Sequence, residues 1–294
     1  MKLISKITYL VCFCFLSLHL NAQSIGGGFK TGLNFSRFDG PTIQDANGND
    51  LESFSYATGF HVGAIVNFKL TDYFGLRGEL LYSQKGTDYD FNGASYLRIY
   101  NDNASQNVIL NGNRVTTINI TTSHIDIPIL AYARIGRIEF AGGVNAAVMI
   151  NSTGTGEIAL RNVVTPLGQS KEDIIISVDA NYFQDEYQIS DLVDPRTITV
   201  LNVDYLAPSV AGAYYDASDS NENAFKRLDW GLNAQLGFYL NQGLLVSFRA
   251  NYGLTDVTNQ VQDIDPRNLE AGQVVTRDDF DRNISLQASV GFSF

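Results

Sequence analysis

Apolar and polar residues alternate along most of this chain, and the last nine residues show the pattern most clearly. Leu286-Gln287-Ala288-Ser289-Val290-Gly291-Phe292-Ser293-Phe294 puts an apolar or aromatic side chain at every second position and ends on an aromatic. A period of two belongs to a β-strand, so this segment carries one oily face and one small or polar face. The same alternation runs from Phe29 to Phe35, Phe60 to Phe68, Leu76 to Tyr82, Ile125 to Ala133, Ile138 to Ile150, Leu228 to Phe238, Val246 to Leu254 and Ile284 to Phe294. With their flanks these eight segments are long enough to cross a bilayer as tilted strands, which takes about 9–11 residues each. The larger apolar set of each segment is read as facing lipid.

The connections alternate in length. Thr71-Asp72-Tyr73-Phe74-Gly75, Gly136-Arg137 and Asn241-Gln242-Gly243 are short and carry turn residues that accept left-handed backbone. The others are long, spanning 37–56, 87–117, 151–227 and 256–281. Tight turns on one rim and long loops on the other predict an all-β fold: an eight-stranded antiparallel transmembrane β-barrel with short periplasmic turns and long extracellular loops. An even strand count returns the C-terminus to the periplasm. In outer-membrane barrels the closing strand commonly ends in an aromatic that serves as an assembly signal, which assigns that role to Phe292 and Phe294. Within the third long loop, Ile174–Val178 and Thr197–Tyr205 are β-rich. Their apolar faces are short and broken by Asp179 and Asp204, which predicts an extramembrane hairpin rather than two more barrel strands.

The N-terminus changes the picture from sheet to exported sheet. Lys2 and Lys6 precede an apolar run from Tyr9 to Leu18, and Ala22 offers a small residue before Gln23. This reads as a cleaved signal peptide over 1–22, with the barrel over 23–294. The run is too short for a membrane helix, which needs about 20 residues. Both cysteines, Cys12 and Cys14, lie inside it rather than after it, so no lipidation site and no disulfide is expected in the mature chain. The formal net charge of −11 argues against nucleic-acid partners. The expected partners are outer-membrane lipid, the barrel assembly machinery and an unidentified protein or surface partner met through the acidic loops, with the barrel itself a monomer.

Several pieces resemble the outer-membrane β-barrel domain family common in Bacteroidetes, often called PorT-like. They are Gly28-Phe29-Lys30-Thr31-Gly32-Leu33-Asn34, Leu70-Thr71-Asp72-Tyr73-Phe74, Gly78-Glu79-Leu80-Leu81-Tyr82-Ser83-Gln84-Lys85-Gly86, Ile125-Asp126-Ile127-Pro128-Ile129-Leu130 and Tyr252-Gly253-Leu254-Thr255-Asp256. Their order and spacing carry the resemblance, and the leader ending Asn21-Ala22-Gln23 suits that phylum. The resemblance implies an outer-membrane barrel. The family's namesake serves a secretion and gliding apparatus, whereas most of its members have no assigned function. Pro128 would argue against a central strand, and a bulge is expected there.

The faces opposite the lipid are unusually charged. In register they place Lys30, His61, Lys69, Arg77, Glu79, Asp126, Glu139, Asp229 and Arg249 in the lumen, with Asn67, Asn145, Asn233, Gln235, Asn251 and Gln287 between them. An eight-stranded barrel is just wide enough for side chains to fill it, so a mutually satisfied network of ion pairs is expected. A narrow conduit or secretion accessory is the alternative, and a membrane-embedded hydrolase using His61 with Asp126 a third reading. The mature histidines, His61 and His124, sit in no nucleophile motif, so the protein is read as non-enzymatic, without cofactor or metal. Asp45-Ala46-Asn47-Gly48-Asn49-Asp50 superficially resembles a calcium loop, but its Gly48 stands fourth rather than sixth, and an Asx-rich turn is expected. Asp216–Glu222 and Asp278–Asp281 are acidic clusters read as solvated loop, with calcium recruitment as their sharper reading.

Overall fold

The computed structural model describes residues 24–101, 107–183, 196–200, 202–207 and 223–294. The export signal read at 1–22 and the acidic stretch 216–222 lie outside the described residues. Among the described residues fourteen strands follow in order: β1 (Ser24–Asp39), β2 (Glu52–Ser55), β3 (Ala57–Lys69), β4 (Phe74–Tyr100), β5 (Asn107–Ile135), β6 (Ile138–Val164), β7 (Ile174–Asn181), β8 (Arg196–Val200), β9 (Val203–Ala207), β10 (Leu228–Tyr239), β11 (Leu244–Gly253), β12 (Ile264–Glu270), β13 (Gln273–Thr276) and β14 (Arg282–Ser293).

Eight of them close a ring in the order β1-β3-β4-β5-β6-β10-β11-β14, with every neighbour antiparallel. The last strand seals the first, with Thr31 opposite Val290 and Phe35 opposite Leu286. Over the membrane-crossing stretch, closure leaves no ring strand with an unpaired edge, the condition for a sheet to sit in hydrocarbon. Phe29, Leu80, Ile129, Phe140, Trp230, Phe248 and Leu286 stand exposed on the outer wall, as lipid-facing side chains should. Gly136 holds φ +61 at the first position of the two-residue turn between Ile135 and Ile138, where a type II′ hairpin takes glycine.

Three ring strands are far longer than a membrane crossing: β4 has 27 residues, β5 has 29 and β6 has 27. The stretch 87–117, expected as a loop, is therefore mostly ladder, paired without break from Tyr82↔Ile125 to Tyr100↔Asn107. Within each strand the inside–outside polarity inverts. Along β4 the outward side chains pass from Leu76 and Leu80 to Asp88, Asp90 and Asn92, while the inward ones pass from Arg77, Glu79 and Lys85 to Tyr89 and Phe91. The same switch occurs on β5, from outward Ile129 and Ile127 to outward Asn119 and Thr117, with Ile120 and Ile118 turned in. Below the switch the outside solvent is lipid. Above it the outside solvent is water, so the apolar residues move inward and build a core. That extracellular core packs Phe38, Phe54, Tyr89, Phe91, Ile118, Ile120, Ile158, Val178, Tyr182 and Phe225.

The third loop also differs from expectation. Its two β-rich pieces stay outside the ring, as expected, but they do not pair with one another. β7 extends the sheet on β6, with Ile176 opposite Ile158. β8 and β9 form their own hairpin, touching β4 at Tyr100↔Leu206. No bulge occurs at Pro128: the β4–β5 ladder is interrupted between Gly78↔Ile129 and Leu81↔Asp126 and resumes in the same register. Register shifts lie instead between β5 and β6, at Asn111/Asn113 and at Ser123/His124, where β6 carries the extra residue Ile150.

Candidate functional site

The ring strands send their polar faces inward and stack them in layers. Nearest the periplasm, Arg77 on β4 donates Nη1 to Glu139 Oε1 at 2.6 Å and Nη2 to Oε2 at 2.9 Å, a bidentate pair across the lumen to β6. Asn67 on β3 accepts from Arg77 Nε at 2.7 Å, and the Tyr239 hydroxyl on β10 donates to Glu139 Oε2 at 2.9 Å. One layer up, Glu79 accepts from Arg249 Nη2 at 2.6 Å and faces Lys30 Nζ at 3.5 Å. Gln235 Oε1 binds both cations, at 2.7 Å from Arg249 Nη2 and 3.1 Å from Lys30 Nζ. Higher still, His61 holds Asn34 Oδ1 at 2.7 Å on Nδ1 and Ser289 Oγ at 2.9 Å on Nε2. The top layer is Lys85 Nζ donating to Asp126 Oδ1 at 3.0 Å, with Asp229 accepting from Thr255 and Asn251 donating to Asn233 at 3.0 Å. His61 and each of these acids and bases is at most 5% exposed.

Of the nine lumen positions expected from the sequence, eight lie in this buried stack. Lys69 does not. It sits at the periplasmic end of β3, where the ring opens, and pairs with Asp72 at 2.9 Å in solvent. Asn145 and Gln287 are buried and inward, each with a side-chain oxygen that has no hydrogen-bond partner. His61 and Asp126 do not form a dyad, because Asn34 and Ser289 occupy both ring nitrogens and Lys85 holds the carboxylate. His124 is buried beside the register shift, with Nδ1 lacking a hydrogen-bond partner. Sequence reasoning missed Lys85, Asn34, Ser83 and Tyr239. Lys85 shares the inward parity of Arg77 and Glu79, so the alternation that found those two also reaches it.

On the periplasmic side a vestibule of about 790 Å³ is lined by Lys69, Tyr132, Arg134, Tyr239 and the Phe294 ring, and ends at the Arg77–Glu139 layer. Phe294 is itself exposed, with its backbone N donating to Gly27 O at 2.9 Å. On the extracellular side the apolar core covers the lumen, and β12–β13 form a hairpin in the last long loop. At the root of that loop Arg277 binds Glu52 at 2.5 Å and Asp263 at 2.8 Å. Asp279 and Asp281 lie beside them. Burial pushes the Asp263 carboxyl up to about 9, with Asp279 adding to it and Arg277 opposing. Burial and the nearby Asp279 push Asp281 up to about 7. The 45–50 segment is an Asx turn: Asp45 Oδ1 accepts Asn47 N at 2.8 Å and Asn49 N at 2.9 Å.

A closed ring with an oily outer wall and an ionic interior defines the class: a β-barrel of the outer membrane. The outer membrane protein beta-barrel domain family matches residues 21–259, and this chain belongs to it. Among solved structures the chain is similar to Ail, the attachment invasion locus protein of Yersinia pestis, at 10% identity and a TM-score of 0.35, over 92% of this chain and 99% of that one. It is similar to OprG from Pseudomonas aeruginosa at 12% identity and a TM-score of 0.35, over 92% and 95%. It also matches the Escherichia coli outer membrane protease OmpT at 6% identity and a TM-score of 0.29, over 95% and 99%. No curated relative matches the chain.

Proposed function

We propose that this protein is a closed, non-enzymatic outer-membrane barrel whose extended strands carry a rigid β-platform to the cell surface, where its acidic outer face engages a partner. The observation that carries this reading is the filled lumen. Four cations, Lys30, Arg77, Lys85 and Arg249, face four acids, Glu79, Asp126, Glu139 and Asp229, and all but Asp229, which accepts from Thr255, pair in layers across the barrel. Such an interior opposes ion flow, because a permeating ion must displace a partner from a buried pair. The platform supports a surface role, since a sheet with its own apolar core holds its outer residues in fixed positions. Asp88, Asp90 and Glu157 are part of that outer face. Asn34 and Ser289 take both ring nitrogens of His61, which counts against the hydrolase reading built on His61 with Asp126.

The narrower kinship with PorT-like proteins of Bacteroidetes, a cleaved signal over 1–22, a monomeric state and recognition of Phe292 and Phe294 by the assembly machinery belong to the same proposal. Planar-bilayer recordings test its core. The wild type should give no sustained single-channel steps, and steady steps in the wild type would favour the channel reading. Cross-linking on intact cells through the 88–92 face should capture a defined partner, and capture unaffected by charge reversal at Asp88 and Asp90 would remove the acidic-face claim.

A further inference from the structure

The barrel and the extracellular cap treat buried charge differently. In the lumen acids and bases balance. In the cap, Glu52, Asp263, Asp279 and Asp281 gather around Arg277. Arg277 reaches Glu52 Oε1 at 2.5 Å, Asp263 Oδ1 at 2.8 Å and Asp279 Oδ2 at 3.5 Å, and among the described residues no other cation pairs with these three. One carboxylate oxygen each from Asp263, Asp279 and Asp281 lies within 4.8 Å of the others. Asp263 is 1% exposed, and while Arg277 holds its Oδ1, its buried Oδ2 has no hydrogen-bond partner. Asp279 Oδ1 is likewise buried without a partner. Buried carboxylate oxygens without donors are costly and like charges at this spacing add to that cost, so without a cation a proton shared between Asp263 and Asp279 must offset it. A cation placed among them removes both costs.

We infer that Asp263, Asp279 and Asp281 form a calcium site that pins the last extracellular loop to the root of β14 above the lumen. The donor set selects the ion. All three are hard carboxylate oxygens with no histidine or cysteine beside them, which suits calcium rather than zinc or copper. Calcium takes about 6–8 oxygens at about 2.3–2.6 Å, so opposite ligands stand close to 5 Å apart, as this cluster permits. The placement suits a tie. Asp263 precedes β12, and Asp279 and Asp281 precede β14, so one ion would clamp both ends of the segment that carries the β12–β13 hairpin.

The test uses the mature chain folded in detergent, stripped with EDTA and titrated with calcium chloride by calorimetry. One calcium per chain is expected, with a Kd of about 10⁻⁴–10⁻³ M, as in extracellular modules. Calcium should also slow proteolysis within 260–280. Asp263→Asn combined with Asp279→Asn should abolish both responses while the heat-modifiable gel shift of the folded barrel persists. Asp278→Asn, an exposed neighbour that accepts from Gln260, should leave both intact. If the double variant loses the gel shift, Asp279→Asn alone serves as the reading and should weaken binding. Absence of calcium binding by folded wild type, or unchanged binding in a folded Asp279→Asn or double variant, would overturn the site.

Discussion

Glu139→Ala removes one partner of a fully buried bidentate ion pair. Glu139 is fully buried and accepts two hydrogen bonds from Arg77, at 2.6 and 2.9 Å, and one from Tyr239 at 2.9 Å. Its removal leaves the buried Arg77 guanidinium with Asn67 at 2.7 Å, the Tyr132 ring face at 5.2 Å, a long contact to Tyr239 at 3.4 Å and the Glu79 carboxylate of the next layer, which Arg249 and Lys30 already hold. Breaking a buried pair by deleting one partner costs about 3–5 kcal/mol, most of it the stranded charge. With a urea dependence of about 1–3 kcal/mol per molar, the midpoint should fall by on the order of 1–5 M. The assay is urea unfolding in lipid vesicles, followed by fluorescence of Trp230, the only tryptophan in the chain, which faces lipid. Asp72→Ala removes the exposed Lys69 pair and should leave the midpoint within error. Replacing both partners, Arg77→Met with Glu139→Leu, should recover much of the loss, because no charge is then stranded. Equal, negligible shifts for Glu139→Ala and Asp72→Ala would refute the inward register, since a one-residue slip turns the whole charged face toward lipid.

Deleting Phe294 should lower the yield of assembled barrel in the outer membrane, measured by the gel shift; an unchanged yield removes the assembly role of the terminal aromatic. Ile118→Ala in the extracellular core should destabilise the platform by about 2–5 kcal/mol, read as faster hydrogen exchange over 87–120, while Asn119→Ala on the outer face should be nearly silent. Comparable effects at the two sites would contradict the polarity switch. EDTA should speed exchange in segment 260–280 without touching the barrel strands, and uniform protection with and without chelator would separate the cap's order from any bound ion.

The ring was legible because lipid enforces one simple rule over each crossing, apolar out and polar in, and eight segments obey it. The extracellular halves of β4, β5 and β6 were not, because the rule there reverses without any break in the strand. Tyr89 and Phe91 keep the inward parity of Arg77 and Glu79 but carry the opposite polarity, so a search for an oily outer face ends at Tyr82. Lys85 was lost for the same reason, as the last charged inward residue of β4 before the switch. Lys69 kept the right parity but lies at the ring's end, where inward no longer means buried. Partner choice among β6, β7, β8 and β9 depends on long-range packing of Ile158, Ile176 and Val178, which periodicity within one segment does not encode. The acidic knot needed the fold, since Glu52 and Arg277 stand far apart in the chain and meet only across the cap.

Single-cysteine labelling along β4 tests the account most directly, since the only native cysteines lie at positions 12 and 14. Leu76→Cys, Leu80→Cys, Asp88→Cys, Asp90→Cys, Tyr89→Cys and Phe91→Cys would each be exposed on intact cells to a membrane-impermeant maleimide. The account predicts rapid labelling at 88 and 90, none at 76 and 80 where lipid covers the wall, and slow labelling at 89 and 91 inside the core. Labelling of 76 or 80 as fast as 90, or of 89 and 91 as fast as 88 and 90, would contradict a barrel whose strands invert their polarity as they leave the membrane.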